Sequence, residues 1–237
     1  MKMNKNSNVY TIIYIVVLVL VVGVALSLVY QALHPQQLDN MANDKKRQIL
    51  AAALITPEEG ESMAELYEKH ITSTMVINFQ GLEVKGATDA FDVNVANEVR
   101  KPADKRLLPV FECNTEQGTK YIIPAYGAGL WGPIWGYVAM NADGKTIYGA
   151  YFAHQGETPG LGAEIEKPAF SDQFKGQPLY NDGHFEPVKV VKSGKEPASG
   201  GFVHAISGGT ITSQGVQKML DNSLSPYDAF FTNLQKK

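Results

Sequence analysis

Apolar and polar positions along the chain fall into three regimes. In the first, "TIIYIVVLVLVVGVALSLVY" from Thr11 to Tyr30, no charged residue interrupts the apolar run. Roughly 20 residues at ~1.5 Å rise each match the ~30 Å of a bilayer core, so the run predicts a transmembrane helix. A cleaved signal peptide is the alternative, with Lys2 and Lys5 as its basic start and Ala25-Leu26-Ser27 as its cleavage site. Its apolar core would exceed the ~7–15 residues usual for such a segment. Lys2 and Lys5 precede the run and Lys45, Lys46 and Arg47 follow it, so charge alone leaves the orientation open.

The second regime has helical spacing. A polar tether from Gln31 leads to a predicted helix capped by Asn43 or Asp44, with Ile49, Leu50, Ala53 and Leu54 on one face. A second helix is predicted from Thr56-Pro57-Glu58-Glu59, which reads as a cap, an N1 proline and a capping-box glutamate. Met63, Leu66, Tyr67 and Ile71 supply its apolar face.

From Ser73 the period shortens to two. Met75, Ile77 and Phe79 alternate with their neighbours, and short β-type runs recur at "LLPVFE", "KYIIPAY", "IWGYVAM" and "TIYGAYFAH". Asp143-Gly144 between the last two predicts a hairpin over 134–154. A strand "FVHAI", a helix from near Thr212 or Ser213, and a last helix from Ser225-Pro226 complete the chain. The expected class is α+β: a single N-terminal transmembrane helix, then one soluble domain with a largely antiparallel sheet flanked by helices. The expected divisions are 1–34 for tail and anchor, 35–72 for a helical linker and 73–237 for the soluble domain.

Composition narrows the chemistry. A chain of 237 residues with net charge −3 has no basic excess to neutralise a phosphate backbone, so no nucleic-acid partner is expected. The single cysteine, Cys113, excludes an internal disulfide and any multi-cysteine metal site. No His-x-x-x-His pair is present among the five histidines, so no metal site is expected. G-x-S-x-G does not occur. "GAGLWG" at 127–132 matches a dinucleotide fingerprint literally, but Pro133 and β-type residues follow where a helix would have to begin. "ADGKT" at 142–146 lies in the hairpin turn rather than in a phosphate-binding loop.

The stretch "VHAISGGTITSQGV", residues 203–216, offers more. Ser207, Gly208 and Gly209 precede three hydroxyls, Thr210, Thr212 and Ser213. Glycine permits crowded or left-handed backbone, and a helix starting there aims free N–H groups and its positive dipole end at the loop. The residues alone leave two readings open: a turn before a capped helix, and a phosphate site whose hydroxyl becomes esterified.

"SGGTITS" closely resembles the "SGAT" flavinylation motif, in which a threonine is joined to FMN by a phosphoester bond. With an N-terminal anchor, "GLWGPIWGYV" at 129–138 and "HQGETPGLGAEI" at 154–165, the chain resembles the FMN-binding, covalently flavinylated NqrC subunit of the sodium-translocating NADH:quinone reductase. The flavin subunit of the ferredoxin:NAD reductase complex is a close relative and the alternative family. A membrane-tethered, non-redox binding domain is the alternative of another class. The resemblance implies covalent FMN on Thr210, attached by a flavin transferase, with Ser207, Gly208, Gly209, Thr212 and Ser213 forming the loop around it. It implies that Glu157 and Thr158 offer polar contacts, that Leu161 packs on the ring with Gly162 beside it, and that Leu130 and Trp131 form an apolar wall. It further implies an electron carrier in the bacterial cytoplasmic membrane, its domain periplasmic and its partners the other subunits of the complex, without NADH oxidation by the isolated chain. Two positions depart from the family pattern: Gly209 stands where alanine is usual, and His204 where aspartate is common.

Overall fold

The structure is a computed structural model and describes residues 8–236. Lys2 and Lys5, read above as flanking charges, lie outside the described residues. The chain divides into two compact units with the boundary between Lys45 and Lys46.

Helix α1 runs without a break from Asn8 to Ala52. Its most apolar window has a mean hydropathy of 3.2 and none of it is buried, so length and composition suffice to cross a membrane. The tether expected from Gln31 is helical instead. Leu, Gln, Met, Ala, Lys and Arg dominate 31–52 and favour helix, and Pro35 removes one backbone donor without ending it. The helix stops where Leu54 takes φ +62°. Ile55 N–H donates to Leu50 O and Leu54 N–H to Ala51 O, a Schellman closure with leucine in the place glycine usually holds.

Residues 56–62 do not start the second helix. Glu61 N–H bonds back to Glu58 O, Glu58 N–H reaches the Glu61 carboxylate at 3.2 Å, and Gly60 sits at φ +84°. The capping signal is spent on a turn, and α2 spans Met63–His70. It leads directly into β1, Ile71–Ile77.

Strands β1, β2 (Leu108–Thr115), β3 (Gly118–Ala128), β4 (Pro133–Asn141) and β5 (Ile147–His154) form one antiparallel sheet in chain order. The turn between β4 and β5 holds Gly144 at φ +64°, as the Asp-Gly hairpin signal requires. Alternation sends Ile134, Val138 and Met140 to one face and Trp135, Tyr137 and Ala139 to the other. The second face packs on Ile49–Ala53 and α2, where Trp135 Nε1 donates to Gln48 Oε1 at 2.9 Å. Between β1 and β2 lies the short helix α3, Val95–Glu98.

The first face is covered by the C-terminal part of the chain. Helix α4 (Pro168–Ser171) brings Phe170 against Phe152. Two small pairs follow: β6 (Tyr180–Asn181) with β7 (His184–Phe185), and β8 (Lys189–Val191) with β9 (Phe202–His204) in parallel. Helix α5 spans Thr210–Leu224, burying Thr212, Ser213, Val216, Met219, Leu220 and Leu224 against the sheet. The last helix, α6, is Asp228–Leu234. It begins later than expected because the Ser225 hydroxyl donates back to Asp221 O at 2.6 Å and a 3-10 turn intervenes.

Candidate functional site

Three connections meet at one end of the sheet. The first is 129–132, the tight link between β3 and β4, closed by Gly129 N–H to Gly132 O at 2.8 Å. It is a hairpin turn with no helix after it, so the dinucleotide fingerprint is absent in structure as well. Leu130 and Trp131 project from it, 48% and 68% exposed.

The second connection follows β5. Leu161 and Ala163 N–H both bond to Thr158 O, and Gly160 takes φ +73°, which folds "ETPGLG" into a compact turn. Thr158 and Leu161 are exposed, and Gly162 is buried.

The third is the glycine loop. Gly208 sits at φ +74° and Gly209 N–H closes a turn onto Ile206 O. α5 begins at Thr210, two or three residues before the expected start. Gly209 occupies the cap position and has no side chain to serve the first turn. The Ser213 hydroxyl, a capping candidate by sequence, instead accepts from Ile206 N–H at 3.0 Å.

Glu157 lies where the three connections converge. It is 4% exposed, and it accepts from Trp131 N–H at 2.8 Å and from the Thr212 hydroxyl at 2.5 Å. Its own N–H donates to His154 Nδ1 at 3.1 Å. His154 Nε2 in turn faces Glu166 Oε1 at 3.7 Å. Burial pushes the Glu157 carboxyl pKa up. The hydrogen bonds from Thr212, Trp131 and Leu130 and the charge of His154 outweigh it, so the net shift is downward and the group is a carboxylate.

The three hydroxyls after the glycines therefore have different fates. Thr212 and Ser213 are each 2% exposed, and both are committed to hydrogen bonds. Thr210 is half-buried at the helix start, and its hydroxyl makes no hydrogen bond among the described residues. It opens on a cleft of about 310 Å³ between Lys192–Ser193 and the 205–210 loop. Ser207 and Gly208 line the same cleft.

Lys192 and Ser193 carry no sequence signal for this site. Parallel pairing of Val191 with His204 puts them beside residues 205–206, and no local pattern announces that register. Ile211, 54% exposed beside the acceptor position, is likewise unannounced. His204 is exposed, with Nδ1 3.7 Å from Glu196 Oε1.

This arrangement suits a ligand with a phosphate and a large planar ring. The uncapped helix start, the Lys192 ammonium and the Thr210 hydroxyl form an anion-binding set. Leu130, Trp131, Leu161 and Ile211 supply exposed apolar surface around it. Among the described residues no cluster of metal-ligating side chains is present.

Comparison with known proteins agrees. The FMN-binding domain family matches residues 129–225, a span that contains all three connections. The NqrC subunit of the Na(+)-translocating NADH-quinone reductase from Vibrio anguillarum is 33% identical, over 93% of this chain and 92% of the relative. Its counterpart from Pseudomonas aeruginosa is 30% identical over 98% of both chains. The crystal structure of the Parabacteroides distasonis counterpart superposes with a TM-score of 0.78 at 46% identity, over 84% of this chain and 97% of that one. The crystal structure of Shewanella oneidensis NqrC gives a TM-score of 0.68 at 26% identity, over 83% of this chain and 98% of that one.

Proposed function

The chain belongs to the NqrC family of Na(+)-translocating NADH-quinone reductase subunits, and on that premise we propose that it carries FMN joined through its phosphate to Thr210. The observation that carries this reading is the fate of the hydroxyls: Thr212 and Ser213 are buried and bonded, and Thr210 faces the cleft. Ester formation joins Thr210 Oγ1 to phosphorus and adds FMN less one water.

When bound, FMN supplies reversible acceptance and release of electrons. The protein supplies position. Lys192 and the N–H groups at the start of α5 hold the phosphate, and the Thr210 tether keeps the ring at a fixed place. Leu130, Trp131, Leu161 and Ile211 give it apolar surface, and Thr158 offers polar contacts at the rim.

The chain acts within a sodium-translocating complex, anchored by the apolar part of α1, with residues 73–237 forming the flavin-bearing domain on the periplasmic side of the cytoplasmic membrane. Its partners are the other membrane subunits and, during maturation, a flavin transferase. The span Thr11–Tyr30 has no ionisable side chain on its helix to pass a cation, so ion movement belongs to those partners. The isolated chain does not oxidise NADH.

The test is co-expression with a flavin transferase, read by intact mass and by fluorescence of the denatured band, beside Thr210→Ala. A fluorescent band heavier by FMN less one water, absent from the variant, is expected. An unmodified chain beside an active transferase refutes the reading.

A further inference from the structure

We infer that Glu157 is a positioning residue for the Thr210 acceptor, acting through the Thr212 hydroxyl. The inference rests on the reading of Thr210 as the site of flavin attachment.

The first observation is what α5 lacks. Its cap residue is Gly209, and no side chain caps its first turn. An uncapped first turn frays, because its N–H groups have no partner inside the helix. Here the turn is held from outside. Thr212, two residues beyond the acceptor, donates to Glu157 Oε2, and the carboxylate charge lies against the positive end of the helix.

The same carboxylate accepts from Trp131 N–H through Oε1, so one side chain ties the acceptor helix to the Leu130–Trp131 turn. The partners lie 26 and 55 positions away in the chain. The surrounding backbone is shaped for this knot. A Cβ on Gly129 would come within 2.5 Å of Glu157 Oε1, and one on Gly162 would overlap both Glu157 Oε2 and Thr212 Oγ1. Glu157 thus fixes the register between the acceptor hydroxyl and the apolar wall. It also keeps the Thr212 hydroxyl occupied, which leaves Thr210 as the acceptor.

The experiment measures the initial rate of flavin incorporation into the full chain at fixed transferase, with the attachment site mapped by peptide mass. Thr212→Val keeps the shape and removes only the hydroxyl. It is expected to slow incorporation at Thr210 about tenfold, the worth of one hydrogen bond to a charged group. Thr212→Ser keeps the donor and restores a near wild-type rate. Glu157→Gln falls between, since the Thr212 hydroxyl can turn to accept from the amide, and this variant carries the test if Thr212→Val does not fold. Leu220→Ala, elsewhere in α5 and away from the network, controls for lost stability. A wild-type rate in Thr212→Val, or in Glu157→Gln when Thr212→Val does not fold, overturns the inference. Equal slowing in a Leu220→Ala chain with the same loss in melting temperature also does so. Absence of label at Thr210 in the wild type overturns the acceptor reading itself, and the inference with it.

Discussion

The Arg106 guanidinium donates to the main-chain oxygen of Asn222 at 2.7 Å and to its side-chain oxygen at 2.9 Å, across 116 positions of sequence. Arg106 also reaches Lys101 O and Val99 O, and it is 8% exposed. The C-terminal end of α5 is thereby clamped to the segment before β2, while Glu157 holds its beginning. The helix that starts with the acceptor residue is fixed at both ends.

Arg106→Ala removes these bonds and leaves the Asn222 and Val99 oxygens without their cationic donor. A loss of about 2–3 kcal/mol is expected, the range for buried hydrogen bonds to a charged group. Denaturant unfolding of the chain in detergent, compared with wild type, measures it.

Gly215 lies inside α5, where a change to alanine ordinarily gains about 1 kcal/mol of helix propensity. Here a Cβ would run into the Ala128 carbonyl of β3. Gly215→Ala is therefore expected to reverse the sign and cost about 1–3 kcal/mol, as overpacking does. The melting temperature of the variant decides between gain and loss.

Glu157 gives the protein an acid-side dependence. Its folded-state pKa lies below the ordinary 4.5, so its contribution to stability is fully present above that value and is lost as pH falls through the lower, folded one. Glu157→Gln abolishes this term. The variant's melting temperature should fall less steeply than wild type's below pH 4.5, and parallel acid limbs would refute the assignment.

Cys113 is wholly buried in β2, and burial pushes its thiol up to about 11 although Lys120 pulls the other way. Thiolate is scarce at neutral pH and access is closed. An aromatic disulfide reagent should leave the native chain unmodified and label one thiol per chain on unfolding. Labelling of the native chain at the unfolded rate would contradict the burial.

The Tyr67 hydroxyl is buried without a hydrogen-bond partner among the described residues. Its loss should cost nothing, since removing an unsatisfied polar atom also removes its desolvation penalty. Tyr67→Phe is expected to be neutral or stabilising by thermal unfolding, with Phe91 still packed at the ring edge.

Much of the architecture was legible because its causes are local. An uncharged apolar run predicts a membrane-length helix wherever it occurs, period-two alternation predicts strands with two faces, and Asp143-Gly144 predicts the turn between β4 and β5. The glycine loop and its hydroxyls were equally visible as a stretch. Other features depend on partners distant in the chain. Thr56-Pro57 carries a helix-start signal, yet the Glu58–Glu61 turn and Gly60 consume it. Three hydroxyls look alike in sequence, and only the approach of Glu157 and Ile206 commits two of them. Lys192 reaches the cleft by the register of a parallel pair. Sequence by itself determined which segments form elements and where chemistry concentrates. Tertiary structure alone decided which polar atoms are consumed by the fold and which remain free to react, because hydrogen-bond satisfaction is settled by neighbours in space.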